Sequence, residues 1–432
     1  MVQSIAVVGL GYVGLPLALA FHHEGHSLIG IDLDRRKLDS IRRGKSYLPD
    51  IEDELLSKAV NSGRFDVTEH FASIAHVDVI VICVPTPLNK QHTPDLSYLI
   101  RAGTAIAEYV RQGHIIVLES STYPGTTSEI LRPMFEEKGL MVGEDYYLGY
   151  SPERIDPGNG DHPFRTVPKI VSGVTEACVR RVSQVYERVF DQVVPVSSTE
   201  AAELAKLLEN SYRFINISFI NEFAILCDRM NVDVWEVIAA AGTKPYGFSA
   251  FYPGPGIGGH CIPVDPLYLQ WKAKEIGMSS IFIEASTDLN GRMPSHIVKQ
   301  VQDCLPGASL EGARILVVGV AYKKNINDVR ESAAVEILQL LAEQRSRISY
   351  YDPFVPSLAL NGLELRSVEL TEQILENTDC VILATEHSKL PIPFILDHAP
   401  LVYDTRNLTK GLNGKAKVVR FGGGGRHYNN GA

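Results

Sequence analysis

One thiol in this chain stands apart. Cys261 lies in the stretch Tyr252-Pro253-Gly254-Pro255-Gly256-Ile257-Gly258-Gly259-His260-Cys261-Ile262-Pro263-Val264-Asp265, a loop so poor in side chains that a large polar ligand could lie against its backbone. A cysteine presented this way suits nucleophilic attack once its thiol is ionised. Cys83, inside Val79-Ile80-Val81-Ile82-Cys83-Val84, and Cys380, ahead of Val381-Ile382-Leu383, read instead as packed strand residues, and Cys227 falls in a helical pattern. The six cysteines form no Cys-x-x-Cys pair and no histidine cluster has ligand spacing, so neither a disulfide framework nor a metal site is expected.

A second candidate group lies on a long helical pattern from Ser198 to Met230, with Thr199 as the expected N-cap and Leu204, Leu207, Leu208, Ile215 and Phe219 at helical spacing. Lys206 and Asn210 are four residues apart and share one face, which Arg213 extends by a turn. Such a face can simply be solvated. The alternative is that Lys206 and Asn210 are donors aimed at a developing oxyanion.

The element that could serve them with a cofactor opens the chain. A strand, Ile5 to Gly9, runs into Gly9-Leu10-Gly11-Tyr12-Val13-Gly14 and then a helical stretch from Leu15 to His23. Strand, Gly-x-Gly-x-x-Gly and helix make the dinucleotide fingerprint: Gly9 for the tight turn, Gly11 for approach of the pyrophosphate, Gly14 for close packing of helix on strand. The helix N-terminus offers N–H groups and a positive dipole end to phosphates. The strand Ser27 to Ile31 ends in Asp32, which suits ribose hydroxyls and repels a 2'-phosphate, favouring NAD over NADP; Arg35 and Arg36 work against that preference.

Further apolar runs, Val77 to Val84 and Ile115 to Leu118, have the character of buried parallel strands and end at Pro85-Thr86-Pro87 and Glu119-Ser120-Ser121-Thr122-Tyr123-Pro124-Gly125. Thr86 and Thr122 at those ends are candidates for cofactor or water contacts, or plain turn residues. Tyr147 to Tyr150 leads into the polar loop Ser151-Pro152-Glu153-Arg154-Ile155-Asp156-Pro157-Gly158-Asn159. After the cysteine loop and a helical stretch to about Ile297, the pattern begins again. Gly312 to Tyr322 echoes the first strand and glycine turn, Ser349 to Asp352 the second strand with its terminal aspartate, and Asp379 to Thr385 the later strand. This unit lacks the full glycine fingerprint but carries Lys323, Lys324, Arg330 and Arg406 at strand ends, cations suited to a diphosphate. The segment from Gly422 to Ala432 reads as a disordered tail.

The chain is therefore expected to be α/β, with two doubly wound Rossmann-like domains joined by a central helical domain with a long helix, divided as 1–197, 198–297 and 298–432. With 432 residues, 45% hydrophobic and 21% charged, it has the composition of a soluble globular protein. The formal charge of −10 argues against a nucleic-acid partner. The first residues enter a strand directly and no apolar run reaches spanning length, so a cytoplasmic protein with no membrane partner is expected.

A nicotinamide site, a second nucleotide-like site and a bridge carrying Lys206, Asn210 and Cys261 suggest more than one oxidation. Alcohol to aldehyde needs no nucleophile. A thiolate becomes useful when the aldehyde is oxidised again, as a thiohemiacetal that becomes a thioester and is then hydrolysed. Lys206 is a source of electrostatic help for the thiolate.

Gly258-Gly259-His260-Cys261-Ile262-Pro263-Val264-Asp265, the Gly9 to Gly14 fingerprint, Ser151-Pro152-Glu153-Arg154, Glu203-Leu204-Ala205-Lys206-Leu207-Leu208-Glu209-Asn210 and Asp328-Val329-Arg330-Glu331-Ser332 together resemble the UDP-sugar 6-dehydrogenase family, over nearly the whole chain. The resemblance implies oxidation of a sugar C6 alcohol to a carboxylate with two NAD reduced per turnover. It implies Cys261 as nucleophile, Lys206 and Asn210 as oxyanion donors, Asp265 and Thr122 as organisers of water, and Glu153 as general base. For the cofactor it implies Gly9, Gly11, Tyr12, Val13, Gly14, Asp32, Lys37, Thr86, Thr122 and Arg330. For the nucleotide sugar it implies Glu153, Arg154, Lys206, Asn210, Tyr252, Gly258, Lys323 and Arg406. It also implies a homodimer formed around the long helix.

UDP-glucose dehydrogenases typically carry lysine where this chain has Val264 and lack a histidine beside the cysteine, where this chain has His260. With Ser151 to Asn159 and Lys244-Pro245-Tyr246-Gly247-Phe248, these departures resemble the branch acting on UDP-N-acetylhexosamines, UDP-N-acetylglucosamine foremost, in polysaccharide or surface-glycan biosynthesis. UDP-glucose, UDP-N-acetylmannosamine and UDP-N-acetylgalactosamine are the alternative substrates. Family members commonly place a neighbouring subunit's arginine in the site, and no arginine stands near Lys244. A nucleotide-sugar or NAD sensor would have no reason to retain the thiol, lysine and asparagine together. A two-electron alcohol or 3-hydroxyacid dehydrogenase would share the fingerprint and bridging helix but need no Cys261.

Overall fold

The computed structural model describes residues 2–48, 50–89, 91, 93–154, 164–259 and 261–424. Contacts divide the chain into two units, Met1–Asn210 with Val264–Ser279, and Ser211–Pro263 with Ser280–Ala432.

The first unit is built on β1 (Ser4–Val8), β2 (Ser27–Ile31), β3 (Phe65–Thr68), β4 (Val79–Ile82), β5 (Ile115–Leu118) and β6 (Tyr147–Tyr150), all parallel in the order β3-β2-β1-β4-β5-β6. The apolar runs are continuous because both sheet faces are buried: Ile5, Val7, Val79, Val81 and Val117 pack on one side, and Ala6, Val8, Ile80, Ile82, Ile116 and Leu118 on the other. The chain leaves β1 toward β2 on one side while β4 lies on the other, so the ends of β1 and β4 border a topological switch point, where ligands of such sheets bind. A short parallel pair follows, β7 (Lys169–Val171) with β8 (Val193–Pro195). Ser172 N–H donates to the Tyr150 carbonyl at 3.0 Å, which holds β7 beside the end of β6.

The second unit repeats the plan. Strands β9 (Arg314–Val318) and β10 (Arg347–Tyr351) precede an antiparallel hairpin, β11 (Ser357–Leu360) and β12 (Leu363–Arg366). Strands β13 (Cys380–Leu383), β14 (Leu401–Asp404) and β15 (Lys417–Arg420) complete a parallel sheet in the order β10-β9-β13-β14-β15. Again alternate residues serve opposite faces, with Ile315, Val317 and Ile382 in one core and Leu316, Val318 and Val381 in the other.

The central region is helical. Its longest helix, Thr199–Met230, runs through the boundary between the units. Its cap is Ser198, whose hydroxyl accepts from Ala201 N–H at 3.1 Å. The expected cap, Thr199, is already inside the helix and buried, so the hydroxyl residue still outside the helix takes the role. Of the apolar positions that marked this helix, Leu207 is buried in the first unit's core, but Leu204, Leu208 and Phe219 are 43%, 67% and 59% exposed. Tyr212, Leu226 and Met230 are exposed too, and at 3.6 residues per turn all six fall on one stripe.

The helix Ile281–Cys304 extends past the expected end near Ile297 and through Pro294. Burial of Met293, Ile297, Val298 and Val301 on one face outweighs the cost of the proline. The glycine-rich segment expected to be disordered is packed as far as it is described. Gly422 and Gly424 N–H groups donate to the two carboxylate oxygens of Asp228, each at 3.0 Å, and Val234 N–H donates to Gly422 O at 2.8 Å. The expectation for 425–432, like those for His260 and for Ile155 to Asn159, lies outside the described residues. Among the described residues no helix is long and apolar enough to cross a membrane.

Candidate active site

The first unit places the glycine fingerprint at the end of β1. A Cβ on Gly14 would stand 1.8 Å from the Gly9 carbonyl oxygen, so only glycine lets the helix Gly14–His23 start this close to the turn. Above Gly11 there is open space, with no atom within 4 Å of where a Cβ would be. A backbone turn with room above it and a helix N-terminus behind it fits a pyrophosphate. Asp32, at the end of β2, accepts from Leu10 N–H and Asp34 N–H, each at 2.9 Å, and from Lys37 Nζ at 3.1 Å. The two cations that argued against NAD have partners of their own: Arg35 pairs with Glu69 at 2.8 Å and Arg36 with Asp34 at 3.0 Å.

Beyond β4, Thr86 Oγ1 donates to Ser121 O at 2.6 Å. Tyr268 OH donates to the Thr86 carbonyl at 2.5 Å, tying the helix Asp265–Glu275 to this strand end. Thr122, beyond β5, is fully buried, with its Oγ1 2.6 Å from Thr126 Oγ1. Thr126 gives its own proton to Tyr123 O at 2.8 Å, so Thr122 is the donor of that pair and keeps acceptor capacity for a water.

The same unit brings Lys206, Asn210, Asp265 and Glu153 together. Lys206, 9% exposed, is not on a solvated face: its Nζ donates to the Glu153 carbonyl at 2.6 Å. Asn210 Nδ2 donates to Asp265 Oδ2 at 2.5 Å. Burial lifts Asp265 to about 6, against the downward pull of the Lys206 charge and the Asn210 hydrogen bond. One helix face thus carries a cation and an amide around a buried carboxylate. Arg154 is tied to the same long helix, with Nη2 2.7 Å from Glu209 and Nη1 donating to Pro168 O at 2.7 Å. Arg213 is exposed.

The sequence reading assigned no role to the residues that hold these groups. Glu203, one turn before Lys206, is buried and accepts from Gly125 N–H (2.7 Å), Thr127 N–H (3.0 Å) and Thr127 Oγ1 (2.7 Å), which fastens the Thr122 loop to the long helix. Burial pushes Glu203 up to about 7 in spite of those bonds. Lys169, the first residue of β7, is buried against Glu119 at 2.6 Å. Glu203 was detectable, since it stands at helical spacing from Lys206 and Asn210; nothing local marks Lys169.

In the second unit the cysteine loop is pinned by its backbone. Gly254 N–H donates to Asn221 Oδ1 at 2.9 Å, Ile257 N–H to Asn290 Oδ1 at 2.7 Å, and Gly259 N–H to Arg330 O at 3.2 Å. A Cβ on Gly258 would meet the Glu331 carbonyl oxygen at 2.3 Å, so the glycine is what allows this approach. Cys261 follows, exposed, while Cys83, Cys178, Cys227 and Cys380 are buried. Tyr252 stacks on Trp235, ring centroids 6.1 Å apart and planes at 12°. The Arg330 guanidinium lies on Asp328, with Nε 2.8 Å from Oδ1. Arg406, beyond β14, lies beside Gly254, with Nε 3.4 Å from Glu386. The turn that carries Lys323 is set by Asp352, which accepts from Val320 N–H at 2.7 Å and Ala321 N–H at 3.1 Å. His387 accepts from Asn325 N–H at Nδ1 (2.9 Å), so its Nε2 donates to Asp352 (3.0 Å).

Residues 3–190, 200–292 and 316–411 match, in that order, the NAD binding, central and UDP binding domains of the UDP-glucose/GDP-mannose dehydrogenase family. The UDP-N-acetyl-D-glucosamine 6-dehydrogenase of Pseudomonas aeruginosa is 37% identical over 356 residues, 82% of this chain and 83% of that one. The UDP-N-acetyl-D-mannosamine dehydrogenase of Methanococcus vannielii is 32% identical over 394 residues, 90% of this chain and 87% of that one. The solved structure of the UDP-D-ManNAc dehydrogenase of Pyrococcus horikoshii has a TM-score of 0.88 at 31% identity, covering 98% of this chain and 99% of its own. The chain belongs to the UDP-glucose/GDP-mannose dehydrogenase family and is an NAD-dependent UDP-sugar dehydrogenase.

Proposed function

We propose that this protein oxidises the C6 hydroxyl of a UDP-N-acetylhexosamine, UDP-N-acetyl-D-glucosamine foremost, to the 6-carboxylate through a thioester on Cys261. Bound NAD supplies the hydride acceptor for both oxidations. The observation that carries the reading is the buried set Lys206, Asn210 and Asp265, together with an exposed thiol on a loop that is nearly all backbone. The Cys261 thiolate adds to the C6 aldehyde, Lys206 and Asn210 donate to the oxyanion of the thiohemiacetal, and loss of hydride leaves the thioester. Water positioned by Thr122 and Asp265 and deprotonated by Glu153 releases the carboxylate and returns the thiol. The turn from Gly9 to Gly14, Asp32, Lys37, Thr86, Thr122 and Arg330 bind the cofactor, and Arg154, Tyr252, Gly258, Lys323 and Arg406 bind the nucleotide sugar.

The acetamido assignment is supported by Val264 beside Asp265, and by the relatives that act on UDP-N-acetylhexosamines. Offering purified protein NAD with UDP-N-acetylglucosamine, UDP-N-acetylmannosamine, UDP-N-acetylgalactosamine or UDP-glucose tests it. Fast NADH formation with UDP-glucose alone would overturn it, and a preference for UDP-N-acetylmannosamine would move the assignment to that epimer. The exposed stripe of Leu204, Leu208, Tyr212, Phe219, Leu226 and Met230 supports a homodimer, since an apolar patch of this extent marks an interaction surface and a helix stripe can pair with its own copy.

A further inference from the structure

We propose that Lys169 is a positioning residue for Glu153: its buried ammonium sits between the Glu119 and Glu153 carboxylates, orients Glu153 and supplies the positive charge beside it. The inference rests on Glu153 being the base of the hydrolytic step.

The geometry is specific. Strand β7 is held beside the end of β6 by Ser151 Oγ donating to Ile170 O at 2.7 Å and by the Ser172 to Tyr150 bond, so its first side chain points under the Ser151 to Arg154 segment. Lys169 is 2% exposed. Its Nζ lies 2.6 Å from Glu119 Oε2 and 3.5 Å from Glu153 Oε2, and donates to the Pro152 carbonyl at 3.2 Å. Two of the ammonium's protons go to Glu119 Oε2 and Pro152 O, and Glu153 Oε2 is its ion-pair neighbour on the remaining side. On the far side, Tyr186 OH donates to the other oxygen of Glu119, and the Tyr186 and Phe190 rings lie 5.3 and 5.4 Å from Nζ. Glu119 is therefore held from behind and Lys169 is directed forward. Glu153 has its Oε1 on Arg154 N–H at 2.7 Å and its Oε2 toward Lys169.

A buried ion pair seldom makes a fold more stable than apolar packing of equal volume would, so stability alone is a poor reason for this one. An ammonium shared by two carboxylates, one sealed in the core and one at its edge, does something apolar packing cannot. It fixes where the outer carboxylate points and places a positive charge beside it. Burial alone would lower Lys169, but Glu119 and Glu153 outweigh it and hold the amine protonated. Burial also lifts Glu119, to about 7, against the pull of Lys169. The other charged or titratable groups facing Glu153 are few among the described residues. Lys206 bonds its carbonyl, Arg154 is neutralised by Glu209, and Cys83, beyond β4, is buried with its thiol pushed far up by burial and then by Glu119.

The test is the pH profile of kcat for carboxylate formation, with the UDP-sugar the wild type uses best. Lys169→Met should displace the acidic limb upward by about one unit or more, because Glu153 loses the neighbouring cation. KM for NAD and for the UDP-sugar should stay close to wild type. Lys169→Arg should restore the limb. Glu119→Gln leaves the whole ammonium to Glu153 and should move the limb downward. The double variant Glu119→Gln/Lys169→Met removes both buried charges together, guards against misfolding of the single variant, and should shift the limb upward. A merely structural role would lower thermal stability in all four variants and displace no limb, and that result overturns the proposal. Glu153→Gln separates the two ideas. If it forms carboxylate at the normal rate, the base reading fails and the inference with it. If it is inactive while Lys169→Met keeps the wild-type limb, only the role of Lys169 is refuted.

Discussion

Replacing Gly11 by alanine should weaken NAD binding without weakening the fold. The new methyl would meet nothing within 4 Å, so the unliganded protein should keep its stability to within about 0.5 kcal/mol. The same methyl would occupy the space through which the pyrophosphate reaches the backbone. Loss of one charge-assisted hydrogen bond there costs about 1.5–3 kcal/mol, or roughly 10- to 150-fold in Kd. At an NAD concentration of about 100 times the wild-type Kd, the cofactor stabilises the wild type by about 2.7 kcal/mol. A tenfold weaker variant gains only about 1.4 kcal/mol at that concentration, and a hundredfold weaker one about 0.4 kcal/mol. Thermal unfolding with and without NAD reads both halves, and calorimetric titration gives Kd directly. Gly14→Ala is the contrast: 1.8 Å from a backbone oxygen its methyl cannot be accommodated by a side-chain shift, so it should cost about 3 kcal/mol or more before any cofactor is added. A Gly11→Ala variant with the full NAD-dependent gain in Tm would refute the placement of the pyrophosphate over this turn.

Other consequences are as direct. A short treatment with iodoacetamide should label Cys261 ahead of the buried Cys83, Cys178, Cys227 and Cys380, with loss of activity in step, and UDP-sugar should slow both; mass mapping that finds a buried cysteine labelled first would count against the exposed-nucleophile reading. Burial raises Glu203 from 4.5 to about 7, so the folded state binds a proton that the unfolded chain has released. Its contribution to stability is full below about pH 4.5 and is lost as pH rises through about 7; Glu203→Gln should flatten the fall in Tm between pH 5 and 8, and an unchanged slope would contradict the assignment. If the stripe is the seam of the proposed homodimer, placing aspartate at Leu208 and Phe219, 67% and 59% exposed, should leave a monomer in light scattering while each unit stays folded; an unaltered mass would remove the stripe from that proposed interface.

The parts of the fold visible in the sequence were those written in short-range pattern. Strands β2, β5 and β6 begin and end where the apolar runs do, because a strand buried on both faces tolerates no polar interruption. Lys206 and Asn210 were legible as one face because four residues is a local spacing. What surrounds them was not. Lys169 has its partners at Glu119 and Glu153, and the three meet because β5 and β6 are neighbours and β7 starts beside their ends, an arrangement of strands far apart in sequence. Periodicity put Leu204, Leu207, Leu208, Ile215 and Phe219 at helical spacing but carries no sign for inward or outward: Leu207 took the core, and Leu204, Leu208 and Phe219 face out. The Gly422 to Gly424 run looked like loose chain because glycines have no side chains to advertise a contact. Their contacts are made by N–H groups, which every non-proline residue has.

Those contacts also set an order of events. Asp228, near the end of the long helix, and Oδ2 of Asp233, just after it, take partners that come far later: Gly422 and Gly424 for the first, Arg420 at 2.7 Å for the second, the latter 187 positions downstream. Trp235 Nε1 likewise donates to Phe421 O at 2.9 Å. On a ribosome adding about 5–20 residues per second, the helix end therefore waits roughly 10–40 s for its partners to be made. During that interval its carboxylates and indole face water or whatever binds nascent chains, and the second unit closes last, when residues 420–424 emerge.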